Sequence, residues 1–214
     1  MKCADLIHEY KNPQTLKLLR SQLAQMGYKS IGKGVDAIVF ANKTHPDVIK
    51  VLIGEADSHT DRAAEGFLTF VKFCDQVSSV HLPKFGSITQ TQVGSEVMYQ
   101  VSMERLYNLT EDEKDVAWFM ARAVSRDLPW ESVLETIHSH GERANPEYQP
   151  QITAERAKYL KIAQKNQTVF VVMQKLHAHA ASLKNVSMDL LNDEGQNIMK
   201  RKDCTWVITD PYVA

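Results

Sequence analysis

Between Tyr28 and Ile53 three short β-leaning runs, Tyr28 to Ile31, Ile38 to Asn42 and Val48 to Ile53, are joined through Gly32-Lys33-Gly34 and Thr44-His45-Pro46-Asp47. Parallel neighbours need a crossover of about a dozen residues or more, so connections this short commit the segment to an antiparallel meander. Inside the third run, Val48-Ile49-Lys50-Val51 places a lysine in an otherwise apolar strand. An ammonium buried there needs a partner or a ligand. The competing reading is an edge strand whose lysine faces solvent.

The first turn has chemical interest of its own. In Gly32-Lys33-Gly34-Val35-Asp36-Ala37-Ile38-Val39, missing side chains let backbone N–H groups approach phosphate oxygens. Upstream, Asn12-Pro13 opens a helix with the stripe Leu16, Leu19, Leu23 and Met26, closed by Gly27. Downstream, Thr60-Asp61 begins a helix to about Cys74, with Phe67, Phe70, Val71 and Cys74 at helical spacing. Glu65 near its start is within reach of Lys50, although acids also favour a first turn simply because of the helix dipole.

Two more strands, Ser87 to Gln92 and Glu96 to Met103, lead to the connector Glu104-Arg105-Leu106. Beyond it the pattern is helical. Thr110 and Glu113 form a capping box opening a helix to about Arg126, and Pro129 starts another that ends at Gly141. Glu142 to Gln151, with two prolines, reads as an exposed loop. Thr153 to Leu183 reads as one long helical region.

The chain's final stretch again favours strands: Asn197 to Arg201 and Thr205 to Thr209 flank Lys202-Asp203-Cys204. With Asp203-Cys204 as a two-residue tip, antiparallel register sets Asn197 opposite Asp210. An amide oxygen and a carboxylate side by side suit a hard cation such as magnesium, which keeps few protein ligands beside water and phosphate. A plain surface hairpin with polar ends is the alternative.

A net charge of −1 with both signs interspersed argues against nucleic acid or an anionic membrane as partner, because both require a concentrated basic face. No apolar run reaches the length of a membrane span, and no signal segment is evident at the start. Three cysteines, Cys3, Cys74 and Cys204, support neither a disulfide framework nor a zinc motif, so a cytoplasmic setting is the expectation. His138 with His140, and His177 with His179, lie in helical segments where residues two apart face different directions, which disfavours ligand pairs.

The order of strands, one helix, connector, helices and terminal hairpin resembles the protein-kinase fold, an α+β architecture with a small antiparallel-sheet lobe and, here, a shortened helical lobe. The divisions implied are a helical extension over 1–27, a first lobe over 28–106 and a second over 107–214. The resemblance implies ATP and Mg2+ as cofactors. Gly32, Gly34 and Val39 fall in the nucleotide-covering loop, with Ala37 for the usual third glycine. Lys50 corresponds to the phosphate-pairing lysine, Glu65 to its helix partner, and Glu104 and Leu106 to the segment beside the adenine. Asn197 and Asp210 correspond to the metal ligands, although Pro211 follows where the pattern has Phe-Gly.

The Asn197-Ile198-Met199 and Ile208-Thr209-Asp210-Pro211 segments are most similar to those of the early serine/threonine protein kinases of short-tailed bacteriophages, implying host proteins as substrates. Two departures stand out. The family's catalytic aspartate lies five residues before the metal-binding asparagine, and here that position is Asn192. Val186-Ser187-Met188-Asp189-Leu190 resembles the segment around it, so Asp189 is read as the base, with an insertion within 191–196 and Asp193 as the alternative. Only four residues follow Asp210, leaving no activation segment. The rival function is a pseudokinase that masks a host protein. A small-molecule kinase is disfavoured by the small helical half.

Overall fold

A computed structural model of the chain describes residues 13–33, 37–52, 60–93, 96–142, 144–190 and 197–213. Gly34, Asp36, Cys3, Asn12, Ile53, Asn192, Asp193 and the proposed insertion lie outside the described residues. The chain is α+β and divides into two compact units, one of residues up to Phe73 with Lys84–Arg105, the other of Cys74–Pro83 with Leu106–Val213.

The first unit begins with α1 (Pro13–Gln25), followed by β1 (Tyr28–Lys33), β2 (Ala37–Asn42) and β3 (Asp47–Leu52). Helix α2 (Thr60–Gln76) then leads to β4 (Phe85–Val93) and β5 (Glu96–Glu104). The strands form one five-stranded sheet in the order β1-β2-β3-β5-β4, and every pairing is antiparallel. The short connections therefore produce the expected meander.

Each face of this sheet has its own core. Ile38, Phe40, Val51, Val93 and Met98 pack with Leu19 and Leu23 of α1. Ala37, Leu52 and Val101 pack with Phe67 and Val71 of α2. The period-two alternation within β2 and β3 sends neighbouring residues to opposite faces, so both faces are apolar and both are covered. Burying each large aliphatic or aromatic side chain contributes about 1.5–3 kcal/mol. Gly27 ends α1 at φ +82°, with Asn42 close by, and the Asn42 amide donates to the Met26 carbonyl at 3.0 Å.

The second unit contains α3 (Glu111–Val124), α4 (Trp130–Ser139), α5 (Gln149–Lys165) and α6 (Gln167–Ala181), then β6 (Ser187–Met188), β7 (Ile198–Lys200), β8 (Trp206–Ile208) and β9 (Tyr212–Val213). Its core joins Val116, Met120 and Val124 of α3, Val133 and Ile137 of α4, Ala163 of α5, and Phe170, Met173 and Leu176 of α6, with Trp206, Val207 and Ile208 also buried. The capping box forms: Glu113 accepts the Thr110 backbone N–H at 2.8 Å and the Thr110 hydroxyl at 3.0 Å.

Two expectations for this unit need correction. The region read as one long helix is two, broken at buried Asn166. Its side-chain amide donates to the Ile162 carbonyl at 2.9 Å, a local bond that competes with the helical ladder and closes α5. The segment read as a loop through Gln151 instead makes a 3₁₀ turn, Pro146–Tyr148, and starts α5 at Gln149. Pro150 sits in the first helical turn, where its missing N–H costs nothing.

The terminal ribbon also differs, by one residue. Ile198 pairs with Ile208, Met199 with Val207 and Lys200 with Trp206, and Thr209 donates its backbone N–H to the Asn197 carbonyl at 2.9 Å. Asn197 is thus opposite Thr209, not Asp210. The cause is the tip. The Cys204 N–H bonds the Arg201 carbonyl, the Arg201 N–H bonds the Thr205 carbonyl, and Cys204 takes φ +65°. A three-residue loop with a left-handed third residue replaces the two-residue turn and moves the register by one.

Candidate functional site

In the first unit the sheet register builds a row. Gly32 pairs with Val39, Val39 with Lys50, and Lys50 with Val101, and directly opposed residues share a face of the sheet. Lys50 is therefore on the α2 side, among Ala37, Leu52 and Val101. It is 9% exposed, which rules out the solvent-facing edge lysine. Its Nζ stands 4.1 Å from the centroid of the Phe67 ring, close enough for a cation–π attraction of about 0.5–2 kcal/mol. The Phe67 ring in turn meets Phe85 edge to face at 5.7 Å.

Glu65 is exposed on α2. Residues two apart on a helix face different directions, so its carboxylate stands off the side that carries Phe67. At Gly32 a Cβ would come only within 4.0 Å of the Val39 Cβ, so packing inside the sheet does not require glycine there. Glu104 ends β5, where its carboxylate accepts the Lys84 backbone N–H at 2.8 Å and its own N–H bonds the Lys84 carbonyl at 3.0 Å.

In the second unit three residues read from sequence come together around the terminal ribbon. The Asn197 side chain donates through Nδ2 to the Asp189 carbonyl at 2.7 Å. The Asp189 N–H donates to the Pro211 carbonyl at 2.7 Å. Asp189, Asn197 and the residue following Asp210 are thus joined by backbone and amide bonds. The short ladder of β6 with β9, Ser187 to Val213 and Met188 to Tyr212, continues the same strap. The Asp189, Asn197 and Asp210 side chains are half-buried, and Pro211 is buried. Leu106, partly buried, lies next to Tyr107, which exchanges both backbone hydrogen bonds with Lys200 at 2.8 Å.

The donor chemistry fits a hard divalent cation. With Nδ2 engaged, the remaining polar atom of the Asn197 amide is Oδ1, and Asp210 brings carboxylate oxygens. Oxygen donors are what hard divalent cations such as magnesium take, and the nitrogen and sulfur donors zinc favours are not among these two residues. Among the described residues no cluster of three or more His, Cys, Asp or Glu side chains is poised for a metal. Three of the four histidines in the two pairs have another contact: His140 with Glu155 at 3.5 Å, His177 with Asp127 at 3.3 Å and His179 with Tyr212 at 2.8 Å, while His138 is exposed on α4.

Two features of this unit escape a reading of the sequence alone. The Tyr212 hydroxyl meets His179 Nδ1 at 2.8 Å and donates toward the Leu176 carbonyl at 3.2 Å, fixing the strap to α6. Burial, with Cys74 nearby, pushes its phenol up. The sequence signal, an aromatic residue two positions past the acid, was available but unspecific. The second feature is the ion pair of Lys200 with Glu113, which joins α3 to β7. Glu113 carries enough sequence signal for its capping role but none for its distant partner.

No helix among the described residues is long and apolar enough to cross a membrane. Comparison with protein-family models and with curated protein sequences finds no match. Among solved structures, that of a microcompartment-associated aminopropanol kinase is similar at 12% identity and a TM-score of 0.41, over 89% of this chain and 67% of that one. A likeness at that level assigns no residue and no substrate to this chain.

Proposed function

We propose that the chain transfers the γ-phosphoryl group of ATP to serine or threonine hydroxyls of proteins, with bacterial host proteins as the substrates its resemblance to phage kinases suggests. The observation that carries this reading is the strap in which Asn197 and the Pro211 carbonyl both bind the Asp189 backbone. It joins the backbone of Asp189, an acid able to accept a proton, to Asn197 and to the residue after Asp210, the amide and the carboxylate that would hold a cation.

Lys50, kept dry by Val101, Leu52 and the Phe67 ring, offsets phosphate charge where burial makes that charge count for more. By the resemblance, Gly32 and Gly34 would serve the phosphates, and Val39, Glu104 and Leu106 the base. Asn197 and Asp210 would hold Mg2+, which when bound supplies Lewis-acid neutralisation of the phosphate oxygens. Asp189 orients the acceptor hydroxyl and takes its proton. The hydroxyl oxygen forms the new bond to phosphorus as the bond to the ADP oxygen breaks. Positioning and electrostatics provide most of the acceleration, and the base adds about 100- to 10,000-fold.

A second reading has one observation in its favour. Asp189 is eight residues before Asn197, not the five of active kinases, which suits a nucleotide-binding or purely masking protein. Transfer of radiolabel from ATP to a bacterial lysate separates the two. Wild type is expected to label itself or lysate proteins, and Asp189→Asn and Asp210→Ala to lose the signal. A wild type that binds and perturbs host proteins without any transfer overturns the enzymatic reading.

A further inference from the structure

Glu113 receives more donors than a capping role needs. Besides the Thr110 N–H and hydroxyl, its carboxylate binds Lys200 Nζ, and Trp206 Nε1 lies 3.5 Å from its other oxygen. Lys200 and Trp206 are directly opposed on β7 and β8, so a single carboxylate on α3 grips both strands of the ribbon at the end away from Asn197. The Lys200 and Glu113 side chains are only 18% and 15% exposed. Trp206 is fully buried. Lys200 also exchanges backbone hydrogen bonds with Tyr107, tying the ribbon to the residue after Leu106.

A short two-stranded ribbon is not stable by itself, and one-residue differences in its tip already change which residue faces Asn197. Something outside the ribbon has to fix where Asn197 and Asp210 stand. We propose that Glu113, acting through Lys200 and Trp206, is a positioning residue for the cation-binding pair Asn197 and Asp210. The inference rests on the phosphotransfer reading given above. Glu113 touches neither nucleotide nor metal. Its effect is transmitted along three residues of β7 to Asn197 and along β8 to Asp210. Groups that orient ligands without touching the metal commonly change affinity by about 10- to 100-fold.

The test is a titration of Mg2+ into the full-length protein with a fluorescent ATP analogue, read as nucleotide binding, alongside Trp206-sensitive intrinsic fluorescence and thermal unfolding. Glu113→Gln and Lys200→Met are expected to raise the Mg2+ concentration for half-maximal nucleotide binding by about tenfold while remaining folded at the assay temperature. Lys200→Arg, which keeps the charge, should recover most of that loss. Tyr159→Phe, which removes the hydroxyl bonded to Asp115 on the same helix as Glu113 and leaves Glu113 untouched, serves as the control and should leave the Mg2+ requirement unchanged. If the folded Glu113→Gln and Lys200→Met proteins need no more Mg2+ than wild type, or Tyr159→Phe needs as much as they do, the positioning role is wrong and the phosphotransfer reading stands. If wild type itself shows no Mg2+-dependent nucleotide binding, both fall.

Discussion

The side-chain amide of Asn197 donates to the backbone carbonyl of Asp189 at 2.7 Å, so two residues read from sequence as cation ligand and base are held in one hydrogen-bonded unit. The bond also gives the asparagine amide a direction, since only a donor can face a carbonyl oxygen.

Asn197→Asp keeps the shape and removes the donor, setting a carboxylate oxygen against a carbonyl oxygen. Urea denaturation should show it less stable than wild type by about 1–3 kcal/mol, and less stable than Asn197→Ala, which simply vacates the position. Identical midpoints for the three proteins would mean the bond contributes nothing.

Lys50 separates stability from function. A buried ammonium is costly even beside an aromatic ring. Lys50→Met keeps an unbranched stem against the Phe67 ring and removes the charge, so phosphoryl transfer should fall by 100-fold or more, about 2.7 kcal/mol of lost transition-state stabilisation, while the protein stays folded at the assay temperature. A large drop in thermal midpoint would show instead that the lysine is a structural element.

Glu113 gives a pH signature. Burial works against its ionisation, but the hydrogen bonds from Lys200 and Thr110 outweigh that effect and hold its carboxyl below the usual carboxylate range. Because it titrates lower folded than unfolded, the stability it contributes is complete above its ordinary value and is lost as pH falls through its depressed one. Urea midpoints between pH 7 and about 3 should fall less steeply in Glu113→Gln than in wild type. Parallel curves would count against the Glu113–Lys200 pair.

Cys204 holds φ +65° at the ribbon tip, a conformation that strains residues with a Cβ by about 1–2 kcal/mol. Cys204→Gly should raise stability by about 1 kcal/mol, and Cys204→Val should lower it, the β-branched residue being the worst suited to that region. Urea denaturation decides. A valine variant as stable as the glycine one would argue for the two-residue tip and its shifted register.

Much of this protein is local enough to read directly. The meander of β1 to β3 follows from turns too short for crossovers, the two-faced core from alternation, the start of α3 from Thr110 and Glu113, and the burial of Lys50 from the apolar residues on either side. Those features depend on neighbours within a few positions, where periodicity and turn chemistry act. The break at Asn166 shows the limit: an asparagine within a helical pattern is equally compatible with a surface position, and only its burial and its bond to Ile162 make it a stop.

The sequence by itself determined that an antiparallel sheet with an embedded lysine is followed by helices and a ribbon carrying an amide and an acid. Tertiary structure alone decided the ribbon's register, the bond of Asn197 to Asp189, the seat of Tyr212 on His179 and the pairing of Glu113 with Lys200, 87 residues apart. The physical reason is that residue type fixes which bonds a side chain is able to make, whereas the choice among distant partners follows from packing. A single left-handed residue or one buried carboxylate can shift that choice without altering any periodic pattern in the chain.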